Sequence, residues 1–241
     1  MMAFIHGKGT RLLLNAAEVS SFFDSTQTAN KLMADETTTY GTNDKTFIVG
    51  LGEGTASLTG LFDGAALAIN AQLEAIIQGL TSSVVTIARA GLALGARCHL
   101  LSAEITDYEV TAPVAGVVKT KLDLEADGGI NGGVVLAGQV AVTATGSQTS
   151  VDNAVLTSNG GVAHLHVTAN TLTGSTTFKV QHSVDGSTWV DLVTHTVVPT
   201  ITTTAERIIV AAGTTINRYL RSNYTIAGSG SVSFTSAFAR R

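Results

Sequence analysis

The sequence predicts a mainly β protein in which one α-helix flanks the first of two β-sandwich domains. Strand-like segments with alternating polar and apolar residues recur along most of the 241 residues, separated by Gly, Asn and Ser turns. Helical spacing of apolar residues is confined to one stretch, between Asp63 and Gly79. Charged residues are 13% of the chain, whereas about 25% is usual in a soluble domain. So weakly charged a surface favours an obligate oligomer.

Two domains, 1–145 and 146–241, are predicted to meet near the turn at Gly146. The first has 14 acidic and 8 basic residues, a net charge of −6, and the second has 4 and 6, a net charge of +2. Neither half contains a basic stripe, so tight binding of nucleic acid is not expected. The glycines within 128–133 predict a flexible turn, and we expect the apolar arm 134–144 to lie along the first domain or a neighbouring copy.

In the first domain, Thr55–Phe62 alternates as a strand, and Asp63 is placed to cap a helix that ends near Gly79. A long hairpin is then predicted, with arms over Cys98–Thr111 and Val114–Asp127. Acidic residues recur on one face of this ribbon: Asp107, Glu109, Asp123 and Glu125. Because no nucleophile lies beside them, we expect them to face solvent or a lumen and not to act as catalytic carboxylates.

The second domain contains about eight short strand patterns and no helical one, as in a jelly-roll or immunoglobulin-like sandwich. The clearest is a hairpin around Asp185 and Gly186, between Thr176–His182 and Trp189–Val193. Three aromatic residues of this domain are candidates for stacking against glycans: Trp189, Tyr219 and Tyr224. For Trp189, a position in the protein core is the favoured alternative.

No segment carries a signature of catalysis, and no cofactor is expected. The glycine run 50–54 has the wrong spacing for a dinucleotide-binding loop, and a strand pattern follows it, so no helix N-terminus would face a phosphate. His164 and His166 share one strand face without a third ligand nearby, which predicts partly exposed histidines and not a metal site. Cys98 lies in an apolar run and is expected to be buried and inert. No apolar run is long enough to span a membrane.

Residues 8–136 resemble the major tail tube protein of long, flexible-tailed bacteriophages. The resemblance rests on the order of the elements and most specifically on two segments, Ala34–Gly41 and Ser57–Gly64. Residues 150–241 resemble the jelly-roll domain that is often appended to phage tail proteins, through three segments: Val180–Asp191, Arg218–Arg221 and Phe234–Arg240.

The first resemblance implies a structural virion protein without enzymatic activity. Subunits of this family form hexameric rings that stack into the tail tube, the conduit for genome ejection, and their sheets join around an acidic lumen. The implied partners are further copies of the chain, a tape-measure protein, a tail terminator and distal tail or baseplate proteins. Viral DNA would pass without tight binding, and no membrane insertion is implied. The implied location is the virion tail, after assembly in the bacterial host cytoplasm.

The same resemblance assigns the polar loop 35–45 to contacts with an adjacent ring, through Asp35, Glu36, Thr39, Tyr40, Asn43, Asp44 and Lys45. The acidic residues of the ribbon would line the lumen, where they would repel phosphate. The second domain would decorate the outside of the tube, so tubes are expected to form without 146–241. The alternative is a tail or capsid decoration protein that binds host-surface glycans through the three aromatic residues.

Overall fold

The structure, a computed structural model, describes residues 6–41, 43–65 and 69–241. Within these residues it contains fifteen β-strands, two 3-10 turns (Gly7–Gly9 and Ser20–Phe22) and one α-helix, α1, over Ile69–Gly79. The predicted mainly β class with one helix is confirmed. The strands are β1 (Arg11–Leu14), β2 (Ala17–Glu18), β3 (Phe23–Glu36), β4 (Phe47–Leu61), β5 (Ser83–Ala88), β6 (Arg97–Thr111), β7 (Lys119–Val142), β8 (Gly146–Ser147), β9 (Val151–Asp152), β10 (Gly161–Asn170), β11 (Thr176–Ser183), β12 (Val190–Thr194), β13 (Thr204–Val210), β14 (Tyr219–Ile226) and β15 (Val232–Arg240).

The chain divides into two compact units that do not follow the predicted boundary after residue 145. Unit 2 comprises Ser21–Ser83 and Leu101–Ile130. Unit 1 comprises Met1–Ser20, Val84–Leu100 and Asn131–Arg241. Strands β6 and β7 each contribute residues to both units. The separation of 1–145 and 146–241 as individual domains stays a prediction.

Unit 2 is built on an antiparallel sheet in which β4 lies between β3 and the first part of β7. Every second residue of β4 from Gly54 to Gly60 is buried, as the alternating sequence predicts. The cross-strand partners of Ala56 and Leu58 are Leu124 and Leu122, which are also buried. These two strands therefore present one apolar and one polar face.

The helix predicted after this strand is confirmed over Ile69–Gly79. Residues 66–68, which the prediction includes, lie outside the described residues. In α1, Ile69 and Leu73 are buried, and the Tyr108 hydroxyl of β6 donates a hydrogen bond of 2.7 Å to Asn70 Oδ1. Gly79, predicted as the stop, is the last helical residue. The left-handed position that ends the helix is occupied by Leu80, with φ of 48°.

The flexible turn predicted at glycines 128–133 is wrong, because β7 runs unbroken from Lys119 to Val142. At Gly133, a Cβ would lie 2.6 Å from the carbonyl oxygen of Phe238 in β15, closer than real Cβ contacts come. Glycine at this position therefore permits the close approach of a neighbouring strand. It does not mark a turn.

The arm 134–144 was expected along the first domain or a neighbouring copy, and on one side it does lie along first-domain residues: the N–H of Gly95 donates to the carbonyl of Val135 at 2.8 Å, and the N–H of Val135 donates to the carbonyl of Ala96 at 2.9 Å. Its other side contacts the last strand of the chain, which was not expected. Residues of β7 pair with β15, from Val134 opposite Phe238 to Val142 opposite Val232. The arm is thus part of the sheet formed by the last strand of the chain. Its apolar residues are buried there, since Val135, Leu136 and Ala137 contribute to core clusters of unit 1.

Unit 1 contains two antiparallel sheets with a shared core. In one, β10 lies between β13 and β15. In the other, β11 lies between β12 and β14, and the short strands β8 and β9 pair with β14. Phe178 and Tyr224 of the second sheet pack with Leu165 and Phe234 of the first. This arrangement agrees with a β-sandwich, whereas the jelly-roll connectivity stays a prediction. No helix in the described part of the chain is long and apolar enough to cross a membrane.

We expect the fragment 1–145 to aggregate and to lose cooperative thermal unfolding. This replaces the expectation from the sequence that tubes form without residues 146–241. Residues on both sides of position 145 share one core cluster, so truncation would expose apolar surface. That cluster comprises Ala88, Cys98, Leu100, Val135, Val162, Ala237 and Ala239. Sedimentation velocity and a thermal melt followed by circular dichroism would check this. A soluble fragment with a sharp transition would contradict it.

Candidate assembly surfaces

The distal part of the β3–β4 hairpin is a two-stranded ribbon with solvent on both faces. All described residues from Asn30 to Glu53 are exposed. The strands remain paired to their ends, where Glu36 lies opposite Phe47. The backbone N–H of Thr37 donates to the carbonyl of Thr46 at 2.8 Å. A two-stranded hairpin is marginally stable in water, so this ribbon would gain stability from a binding partner.

Large apolar side chains are exposed along this ribbon. The exposed fractions are 83% for Leu51, 71% for Leu32 and 66% for Val49. The same ribbon carries three further apolar residues that are more than half exposed: Met33, Phe47 and Ile48. Phe47, Val49 and Leu51 alternate along β4 and therefore share one face of the ribbon. Exposed apolar surface of this kind marks an interaction site. Exposure of these residues is not predicted from the sequence, because apolar residues in a strand pattern are ordinarily core residues.

The loop predicted to contact a neighbouring ring is the end of this ribbon. All seven of its predicted residues are exposed, and the structure joins two of them, since Lys45 Nζ donates to Glu36 Oε2 at 3.0 Å. This hydrogen bond lowers the pKa of Glu36. Tyr40 is fully exposed. The remaining four, Asp35, Thr39, Asn43 and Asp44, lie beside these residues in the same loop, and the contact with a second ring stays a prediction.

The predicted acidic ribbon residues lie on the polar side of unit 2. Asp123 and Glu125 are the cross-strand partners of Ser57 and Thr55, and both pairs point away from the buried leucines. Asp107 and Glu109 are exposed in β6.

Lys121 partly neutralises this surface. Its Nζ lies 2.6 Å from Asp123 Oδ2 and 3.8 Å from Asp107 Oδ2. The short hydrogen bond lowers the pKa of Asp123 and raises the pKa of Lys121. Lys119 lies on the same face of β7 by strand alternation. The face therefore carries lysines among its carboxylates, and its role as a lumen wall stays a prediction.

His164 and His166 are fully buried, so the prediction of partly exposed histidines is wrong. Residues 161–167 of β10 are all buried, because core clusters cover both faces of this strand. Thr86 Oγ1 lies 3.1 Å from His164 Nδ1 and 2.8 Å from His166 Nε2. His166 Nδ1 lies 2.6 Å from the carbonyl oxygen of Asn15.

These distances assign the protons of the neutral rings. Since a carbonyl can only accept, His166 Nδ1 donates to Asn15, and its Nε2 accepts from the Thr86 hydroxyl. The Thr86 oxygen then accepts from His164 Nδ1. Burial lowers the pKa of His166 to about 4 and the pKa of His164 well below its ordinary value. The pair is a core hydrogen-bond network that resists protonation.

His195 extends this buried group of histidines without making a metal site. Its Nδ1 lies 2.9 Å from Glu206 Oε2. Burial lowers the pKa of His195, and the hydrogen bond to Glu206 opposes that shift. Among the residues that the structure describes, no group of three or more His, Cys, Asp or Glu is arranged to hold a metal ion. Cys98 is buried, as predicted, and burial raises the pKa of its thiol to about 12.

The three aromatic residues predicted to stack on glycans differ in accessibility. Tyr224 is only 7% exposed and packs in the core with Phe234, so its assignment as a glycan contact is wrong. The Arg221 guanidinium lies 4.1 Å from the Trp189 ring centroid. The Arg218 guanidinium lies 5.0 Å from the ring centroid of Tyr219. Cations therefore already stack on both of the partly exposed rings.

Several solved structures are partly similar to this chain, whereas no protein-family model and no curated protein matches its sequence. A chain of the virion of a native gene transfer agent particle is 14% identical with a TM-score of 0.43, over 52% of this chain and 95% of that chain. For the SPP1 tail tube the identity is 12% and the TM-score 0.46, over 56% and 80% of the two chains. The SPP1 Dit protein is described as a hub of the adsorption apparatus in phages that infect Gram-positive bacteria. Its identity to this chain is 14% and its TM-score 0.38, over 96% of this chain and 98% of that chain. With TM-scores below 0.5, these likenesses by themselves assign neither a fold nor a function.

We expect the free energy of unfolding to decrease as the pH falls from about 6.5 to about 4. Above this window the buried histidines are neutral in both the folded and the unfolded chain. Within it, the unfolded chain binds protons that the folded core excludes, so stability decreases with falling pH. For His166 the shift from 6.5 to about 4 corresponds to roughly 3 kcal/mol.

Urea unfolding at pH 7.5 and 4.5 would measure this effect. The variant His166→Gln should show a smaller loss of stability between the two pH values than the wild-type chain. His6→Gln, at an exposed position, is the matched control and should behave like the wild type. An equal loss in the wild type and in His166→Gln would contradict the assignment.

Proposed function

We propose that this chain is a structural phage tail protein whose copies polymerise through the β3–β4 ribbon into stacked hexameric rings, forming a tube for genome ejection. The observation that carries the proposal is the ribbon itself. It has only two strands, solvent on both faces and a row of exposed apolar side chains. Ala34–Gly41, one of the two segments that most resemble tail tube proteins, forms its end.

The free edge of β3 supports side-by-side joining of subunits. Within the described residues, β3 pairs with β4 and with no other strand. An edge of a strand that no further strand covers offers backbone donors and acceptors to another chain. Its pairing with a second copy would extend the sheet from subunit to subunit around a ring.

The polar face of unit 2 supports a role as the wall of a conduit. Hydroxyl and carboxylate side chains alternate across β4 and β7, with Ser57 opposite Asp123 and Thr55 opposite Glu125. A wall of this composition would repel DNA phosphate and allow the genome to pass without tight binding. In such a tube, a tape-measure protein would occupy the lumen during assembly in the bacterial host cytoplasm. A tail terminator and distal tail or baseplate proteins would contact its ends in the virion tail.

Glycan binding by a decoration protein is the alternative, and the structure weakens its basis. Tyr224 is buried, and guanidinium groups already stack on Trp189 and Tyr219. Catalysis is not proposed: in unit 2, Glu36 forms an ion pair with Lys45, and Asp107 and Asp123 form ion pairs with Lys121.

We expect the double variant Val49→Ser with Leu51→Ser to lose tube formation while its thermal melting is unchanged. Both side chains are exposed, so the folded subunit loses no core packing, whereas the assembled state loses apolar burial of roughly 1.5–3 kcal/mol for each side chain. The matched control is Val114→Ser with Val184→Ser, two exposed valines outside the ribbon, which should assemble normally. Negative-stain electron microscopy and sedimentation velocity would compare the three proteins.

Two outcomes would count against the proposal. Wild-type protein that forms neither rings nor tubes at any concentration would contradict the tail function as a whole. Normal tubes from the Val49→Ser, Leu51→Ser variant would show that the ribbon is not the surface that drives assembly.

A further inference from the structure

Charge is strongly segregated between the two compact units. Unit 2 contains 13 acidic and 4 basic residues, a net charge of −9, and unit 1 contains 5 and 10, a net charge of +5. These sum to the −4 of the whole chain. Division of the sequence at residue 145 conceals most of this difference, because unit 1 also includes segments from the first half. Opposite charge on the two units makes unit 1 of one copy complementary to unit 2 of another.

The positive charge of unit 1 is focused in a cleft beside β5, β6 and β7. The cleft encloses about 350 Å³ and is lined by Ile87, Arg89, Arg97, Cys98, His99, Gly132 and Gly133. Two guanidinium groups and no carboxylate are among these residues. Arg97 is exposed, and the structure gives it no ion-pair partner within the described residues. The cleft therefore contains cationic charge that is available to an external group.

A second cleft shares one wall with the first and adds to its positive charge. Arg97, Gly132 and Gly133 line both, and the second also contains Arg240. Its one carboxylate, Asp152, accepts two hydrogen bonds of 2.6 Å from Arg218. This pairing lowers the pKa of Asp152 to about 2, so the carboxylate stays paired with Arg218 and leaves Arg97 and Arg240 unneutralised.

The interior of the first cleft can admit a side chain from outside. Arg89 Nη1 lies 2.8 Å from His99 Nδ1, and burial together with the Arg89 charge lowers the pKa of His99, so the ring is neutral and Arg89 retains its charge. At Gly132, an added Cβ would have no atom within 4 Å. Bare backbone thus forms part of the wall, with open space in front of it.

We infer that this basic cleft receives the acidic loop at the end of the β3–β4 ribbon of a second copy. The inference rests on the proposed self-assembly and names the surface that the loop contacts. Asp35, Glu36 and Asp44 belong to that loop, and among these three, within the described residues, Glu36 alone forms an ion pair, with Lys45. The ribbon presents these carboxylates at a fully exposed end. On the acidic face of unit 2, by contrast, two of the carboxylates, Asp107 and Asp123, already pair with Lys121.

A loop of protein fits the cleft better than nucleic acid does. Tight binding to DNA requires basic residues that follow a phosphate backbone over several contacts. Here the arginines that line the clefts, Arg89, Arg97 and Arg240, are confined to two adjoining clefts. A few carboxylates on a narrow ribbon match that confinement, and DNA binding is an outcome that the test below distinguishes.

The central test compares Arg97→Glu with Lys8→Glu. Each variant changes the net charge equally at an exposed position of unit 1, and Lys8 lines neither cleft. We expect tube formation by Arg97→Glu at about 0.15 M salt to fall by at least about tenfold, a loss comparable to that of a close interfacial charge pair. Lys8→Glu should assemble like the wild type. Both should melt at the wild-type temperature, and wild-type assembly should weaken at about 1 M salt, where charges are screened.

Charge reversal on the loop identifies the occupant. Asp35→Arg with Asp44→Arg should impair assembly in the wild-type background and restore it in a chain that also carries Arg97→Glu. Gly132→Val fills the cleft without a change in charge and should also impair assembly. Negative-stain counts of tubes and a DNA mobility-shift assay with a short duplex would be recorded for every variant.

The outcomes separate this inference from the proposed function. Normal tubes from Arg97→Glu would overturn the cleft assignment and leave tail-tube assembly intact. Loss of tubes without restoration by the reversed loop would overturn the loop as occupant. DNA binding that Arg97→Glu abolishes, with normal tubes, would overturn the inference in favour of a nucleic-acid site. A wild-type chain that never assembles would overturn the proposed function and this inference together.

Discussion

The fold depends on pairing along β7, because this one strand supplies partners to both units. Its first eight residues, Lys119 to Ala126, pair with β4, and its residues from Val134 to Val142 pair with β15. Since β3 pairs only with β4 in the described chain, the β3–β4 hairpin is supported by the pairing of β4 with β7 and by the Asn30 side chain, which donates to the carbonyl of Ile130 in β7 and accepts from its N–H. Any surface that the ribbon presents to another copy is therefore oriented by hydrogen bonds between two central strands.

Much of the fold could be predicted where the signal is local. Alternation in Thr55–Phe62 and the Asp185-Gly186 turn depend on neighbouring residues only, and both are confirmed, with Gly186 at φ of 75°. The glycines at 128–133 were misread because glycine serves a turn and a close strand approach equally well. At Gly133, the deciding atom belongs to Phe238, more than a hundred residues away. The predicted partial exposure of His164 and His166 was wrong for the same reason, since their burial depends on elements packed on both sides of β10.

The candidate surfaces, too, could be predicted from the sequence only in part. The acidic loop around Asp35 and Asp44 was located from the family pattern, because polar loops are visible in a sequence. The exposed apolar residues of the ribbon, among them Leu32 and Leu51, were not predicted, since an apolar residue in a strand pattern does not show whether anything packs over it. The difference in net charge between the two compact units was also not visible in the sequence. Unit 1 gathers three separate stretches of chain, and a count along the sequence mixes their charges with those of unit 2.

The unsupported ribbon also has a kinetic consequence for a chain that polymerises through it. A two-stranded hairpin gains little free energy from its own pairing, so the entropy of fixing it is paid when it docks on another copy. The first few subunits to associate would lose this entropy while they form few contacts. A subunit that joins a completed ring would form all of its contacts at once. Free chains would therefore persist until a template is present, and growth would proceed from that template.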